Sequence, residues 1–117
     1  MDSTTLIKRI EGLKTLGGHP RFYELLLQIA ELHANKNHDY AVDNDPLSNL
    51  RQAESFGIPA YKGVLVRLSD KWSRIQELSK KPGLVKTESV EDTLMDMAVY
   101  SLLAIILFGE QNKKNTP

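Results

Sequence analysis

The stretch that most constrains the fold is Ser89–Gly109, SVEDTLMDMAVYSLLAIILFG. From Met97 to Phe108 every residue except Ser101 is apolar. A helix that is apolar nearly all round has to be covered on several sides, so it is expected as the central element of the fold. Its dozen or so apolar residues fall short of the ~20 that span a bilayer. The run therefore reads as the core helix of a soluble, cytoplasmic protein, with no membrane partner.

Helical signals continue along the rest of the chain. Leu6, Ile10 and Leu13 recur at helical spacing, giving a first helix over residues ~3–16, ended by Gly17-Gly18. Pro20 suits the first turn of a second helix, ~20–38, whose apolar face is Phe22, Leu25, Leu26, Ile29 and Leu32. YAVDNDP, at 40–46, is a loop. Asp45-Pro46 starts a short helix to about Phe56, closed by Gly57. Pro59 opens a long helix, ~59–80, with Val64, Leu65, Leu68, Trp72, Ile75 and Leu78 as its core face. The last helix runs ~89–109, with Ser89 and Asp92 at capping-box spacing, and 110–117 is a frayed tail.

This predicts one all-α domain over 1–117, a bundle of four to five helices with its core in ~20–109. Fifteen basic and fifteen acidic residues cancel, so the total carries no footprint for duplex nucleic acid or an anionic membrane. The absence of cysteine excludes disulfides and thiolate metal sites. The first eighteen residues, MDSTTLIKRIEGLKTLGG, have no long apolar stretch of a secretory leader.

Projecting the helices at about 100° per residue shows polar groups on three apolar stripes. On the last helix Glu88, Asp92, Asp96, Val99 and Leu103 share one stripe, which aims Asp92 and Asp96 inward. An inward carboxylate needs a cation. Either Mg²⁺, which takes oxygen ligands, or a neighbouring Lys or Arg supplies it. On the second helix the stripe Phe22, Leu26, Ile29 continues as His33, Lys36 (or Asn37) and Tyr40. Lys36 would meet Asp92, Asp96 or a ligand phosphate; His38 and Asp39 point elsewhere. On the fourth, Lys71 sits at the edge of the core face. Arg67, Asp70, Arg74 and Glu77 form a charged ladder that is either solvated or, if a second subunit covers it, a site wall.

NKNHDYA (35–41), RLSDKWSRIQEL (67–78) and ESVEDTLMDMAVYSLLAI (88–105) resemble, in order, the motifs of a phage and prophage family, the nucleotide-modification-associated domain of type one. The likeness covers about 20–109. More distantly, the layout resembles the all-α nucleoside triphosphate pyrophosphohydrolases of the MazG and dimeric dUTPase kind. In those, carboxylates from two helices hold Mg²⁺, which with a water cleaves between the α and β phosphates. The chain departs from that pattern in one place: three residues after Asp70 stands Ser73, where the family has a second acid.

The resemblance implies a metal set of Asp70, Glu88, Asp92 and Asp96, with Asp70, Asp92 and Asp96 catalytic. The candidate ligand-binding residues are His33, Lys36, Asp39, Tyr40, Arg67, Lys71 and Arg74. The expected partner is a nucleotide or another phosphate-bearing small molecule, bound by a homo-oligomer. Three functions follow: a Mg²⁺-dependent nucleotide pyrophosphohydrolase, a non-catalytic oligomeric module that sequesters a nucleotide, or a structural, partner-binding helical protein.

Overall fold

The computed structural model describes residues 1–40, 45–80 and 87–115, apart from the side chains of Asn37, Asp39, Tyr40, Thr87, Glu88 and Ser89. The described residues are all-α. The α-helices are α1 (Ser3–Leu16), α2 (Pro20–Tyr40), α3 (Ala60–Lys80) and α4 (Thr87–Asn115). Two 3₁₀ turns, Ser48–Leu50 and Gln52–Phe56, stand where one short helix was expected. The element ends fall close to the punctuation of the sequence, because Gly17-Gly18, Pro20, Gly57 and Pro59 each end or open a helix there.

Two ends differ. Helix α4 has already begun at Thr87, ahead of the Ser89–Asp92 capping spacing. It also runs on past Gly109 to Asn115, where a frayed tail was expected. The extension is held by Glu110, which accepts a hydrogen bond from Arg51 at 2.8 Å. Within the apolar run the lone hydroxyl, Ser101, donates to the Met97 carbonyl at 2.8 Å, so it needs no partner outside the helix.

The core lies between α3 and α4 under the loop that joins α2 to α3. Its buried residues are Leu47 and Leu50 from the loop, Ala60 and Val64 from α3, and Val99, Leu103, Ala104 and Leu107 from α4. Ile29 and Leu32 of α2, with Tyr61 and Tyr100, pack around it. Tyr61 meets Phe108 edge to face, ring centroids 5.1 Å apart, an arrangement worth about 1 kcal/mol beyond area burial.

The stripes turn slightly from those projected. On α4 the buried line is Thr93, Val99, Leu103 and Leu107, with half-buried Asp96 on it, while Asp92 is exposed. On α3 Val64 is buried and Leu68, Lys71, Ile75 and Leu78 are half-buried, which leaves Leu65 and Trp72 outside. Trp72 is 54% exposed, so it is no core residue of the single chain.

Gly63 lets the second 3₁₀ turn press against α3: a Cβ there would stand 2.9 Å from the Cβ of Ala53. Gly63→Ala is therefore expected to destabilise by about 1 kcal/mol. Overpacking of about 1–3 kcal/mol exceeds the gain of up to about 1 kcal/mol in helix propensity. Gly109→Ala, with nothing within 4 Å, keeps only the gain and is expected to stabilise by up to about 1 kcal/mol. Urea unfolding of both variants checks the contrast.

Candidate functional site

Lys36 on α2, Lys71 on α3 and Asp96 on α4 meet across the bundle. Lys36 Nζ donates to Asp96 Oδ1 at 3.0 Å, and Lys71 Nζ lies 3.0 Å from Oδ2. One carboxylate thus joins three helices. Its side chain is 20% exposed, against 43% for Lys36. Partial burial pushes the Asp96 carboxyl up, but the hydrogen bonds from Lys36 and Lys71, and their charges, outweigh this and hold it below the usual carboxylate range. Two lysines thus supply cations to the inward carboxylate.

Above this triad lies a cavity of about 350 Å³. Its charged and polar wall is His33, Lys36, Asn49, Arg67 and Asp96; Pro46, Leu47, Leu50, Val99, Tyr100 and Leu103 complete it. Lys71 lies behind Asp96 and is not part of the wall. Local sequence explains each placement. Lys36 ends the apolar stripe of α2, and Tyr100 follows Asp96 by one turn. Leu47 and Leu50 anchor the loop in the core and so bring Asn49 to the rim.

The loop is clamped by Arg51. Its Nε donates to Asp45 Oδ2 at 2.6 Å and its Nη1 to Glu110 Oε2 at 2.8 Å. Asp45 Oδ1 also accepts from the Leu47 backbone N–H at 3.0 Å. The Arg51 hydrogen bond, followed by that of Leu47, lowers the Asp45 carboxyl below its ordinary range. Arg51 in turn is held protonated still more firmly than an ordinary guanidinium, first by Asp45 and then by Glu110. This clamp fixes one wall of the cavity to the C-terminal end of α4.

Of the residues proposed from sequence, His33, Lys36, Arg67 and Asp96 line the cavity, and Lys71 reaches it through Asp96. Arg74 and Asp70 are exposed on α3 away from the wall. Asp92, one turn before Asp96, is exposed and lines not this cavity but a neighbouring groove, with Glu91 and residues of α2. The side chains of Asp39, Tyr40 and Glu88 lie outside the described residues. Among the described residues no three His, Asp or Glu side chains gather as a metal-ligating group. Among the described residues Asp96 is the one carboxylate in the wall, and it already carries two ammonium partners.

Sequence reasoning missed Asn49, Tyr100 and the Arg51 clamp. Tyr100 was legible from its i, i+4 spacing to Asp96. Arg51 and Glu110 are 59 residues apart, and no local pattern joins them. The chain matches no family model, no curated protein and no solved structure.

Proposed function

We propose that this cavity binds a phosphate-bearing small molecule, a nucleotide by preference, without itself supplying a metal centre. The observation that carries the reading is charge: Lys36 and Arg67 stand in the cavity wall with one carboxylate, Asp96, whose second oxygen is already taken by Lys71, so the wall carries an excess of positive charge. Lys36 and Arg67 are exposed enough to turn toward an anion. Val99, Leu103, Leu47 and Tyr100 give the deeper wall an apolar and aromatic lining suited to a base. The cavity falls in the ordinary size range of ligand sites, about 300–1,000 Å³. The motif order described above supports a nucleotide as the phosphate carrier.

The second reading is Mg²⁺-dependent hydrolysis of a nucleoside triphosphate. It is favoured by Asp96 standing in the cavity and following Glu88 and Asp92 at four-residue steps on α4. Incubation with a nucleotide panel, with and without Mg²⁺, and chromatography of the products separates the two. Stoichiometric binding with nucleotide recovered intact supports the first reading. Mg²⁺-dependent release of pyrophosphate establishes the second. Neither binding nor turnover leaves a structural helical protein.

The same reading places the chain in the cytoplasm as a homo-oligomer. Helix α4 has the length and hydropathy of a membrane span, although its apolar run alone was expected to fall short of one, and 28% of that window is buried within one chain. Leu102, Ile105, Ile106 and Phe108 are each about half exposed or more. A second copy is the cover we assign to them.

A further inference from the structure

Helix α1 has an apolar stripe that none of the described residues buries. Leu6, Ile10 and Leu13 share one face, are 50%, 36% and 53% exposed, and no residue of α1 is buried. Isolated helices shorter than about 12–15 residues are marginal in water, and α1 has fourteen residues with Gly12 inside it. Its persistence calls for a surface to pack on.

An apolar surface edged by the opposite charge lies on the same chain type. Between α2 and α4 runs an apolar groove of about 450 Å³, walled by Phe22, Leu26, Leu94 and Met95. Glu91 and Asp92 edge it. The one cation on its rim, Arg21, is paired with Glu24 at 3.1 Å. The α1 stripe is flanked by Arg9 on one side and Lys14 on the other, and α1 carries three basic residues against one acid. Asp92, which the cavity does not use, thus finds a role here.

The hinge decides which copy supplies the helix. Tyr23 Oη shares its one hydrogen between the carbonyls of Leu13 and Gly17, at 3.3 and 3.1 Å, and so ties the end of α1 away from its own groove. Gly17 and Gly18 between the two helices take positive φ of 123° and 94°, a backbone that glycine adopts without strain. Folding back would break both hydrogen bonds; reaching a neighbour breaks neither.

We infer that α1 is an exchanged arm: it lies in the α2–α4 groove of a second copy, which returns its own α1, closing a two-fold dimer. The exchange is independent of what the cavity binds.

The chain has no cysteine, so introduced thiols report the contact directly. Ile10→Cys chains are mixed in equal amounts with chains carrying Leu94→Cys or Leu26→Cys, at opposite walls of the groove, and oxidised mildly. Covalent dimers containing one chain of each kind are expected from at least one mixture. Lys8→Cys, on the opposite face of α1, is expected to give none. Charge reversal gives a second readout by light scattering. Arg9→Glu with Lys14→Glu is expected to weaken the dimer at least tenfold, and adding Glu91→Lys with Asp92→Lys is expected to restore it. A further chain carrying Ile10→Cys together with Leu94→Cys or Leu26→Cys separates the alternatives: disulfides confined within its single chains, with no mixed dimers from the single-thiol chains, overturn the exchange in favour of a folded-back arm. No specific cross-link together with an unchanged dimer constant overturns it altogether.

Discussion

Replacing Leu107 by alanine is expected to cost about 3 kcal/mol of stability and to lower the melting temperature by roughly 10 °C or more. Leu107 is 2% exposed and sits among the eight buried apolar residues that form the core. A core of that size has little to spare, since single domains are stable by only about 5–15 kcal/mol. The removed methyl groups leave a cavity between α4, α3 and the loop, and the 3₁₀ turns that seal it are short. Leu102→Ala is the control: Leu102 is 49% exposed in the single chain. In a monomer the change should stay within about 0.5 kcal/mol. In an oligomer that covers α4 it costs more, and the loss depends on protein concentration. Thermal unfolding at two concentrations reads both effects.

Asp96→Asn is expected to act in opposite directions on stability and on ligand affinity. The amide keeps the shape but no longer neutralises Lys36 and Lys71. Both lysines are partly exposed and can turn to water, so the cost in stability is discounted to about 1 kcal/mol. With its anion gone, the cavity gains a full positive charge, and phosphate affinity is expected to rise about tenfold, equivalent to about 1.4 kcal/mol. If the cavity were instead a hydrolytic centre built on Asp96, the same change would abolish turnover.

The pH dependence follows from the lowered Asp96 carboxyl. A group whose folded pKa is depressed contributes stability above its unfolded value, about 3.9 for Asp. That contribution disappears as pH falls through the folded value. Wild type and Asp96→Asn should therefore differ in stability at neutral pH and converge in acid, below about pH 4. Urea unfolding across that range measures it.

The helices were legible because the sequence punctuates them. Gly17-Gly18 with Pro20, and Gly57 with Pro59, stop and start the chain within a residue or two of the observed ends. What the pattern could not fix was the rotation of a helix that is apolar nearly all round. Beyond Val99 several faces of α4 qualify as the covered one, and the projection put Asp92 inward where Thr93 lies, one residue along. The same ambiguity placed Trp72 in the core of α3. Both errors concern one step of about 100° around a helix.

The candidate site divides in the same way. Lys36 announces itself as a charge at the end of an apolar stripe, and Asp96 was one of its two named partners; they meet at 3.0 Å. That Lys71 takes the other oxygen was not legible, since its place at the edge of a stripe fits solvent equally well. The Arg51 clamp depends on a loop and a helix end far apart in sequence, and only the fold brings them together.

The central claim is that the positive cavity holds a phosphate-bearing ligand. Calorimetric titration of the full chain with deoxynucleoside triphosphates, in wild type and in Lys36→Met, tests this most directly. Saturable binding is predicted, weakened about tenfold by the loss of one charge-assisted contact and weakened further by added salt. Heat-silent titrations with no ligand-induced rise in melting temperature, or binding that Lys36→Met leaves unchanged, would contradict it.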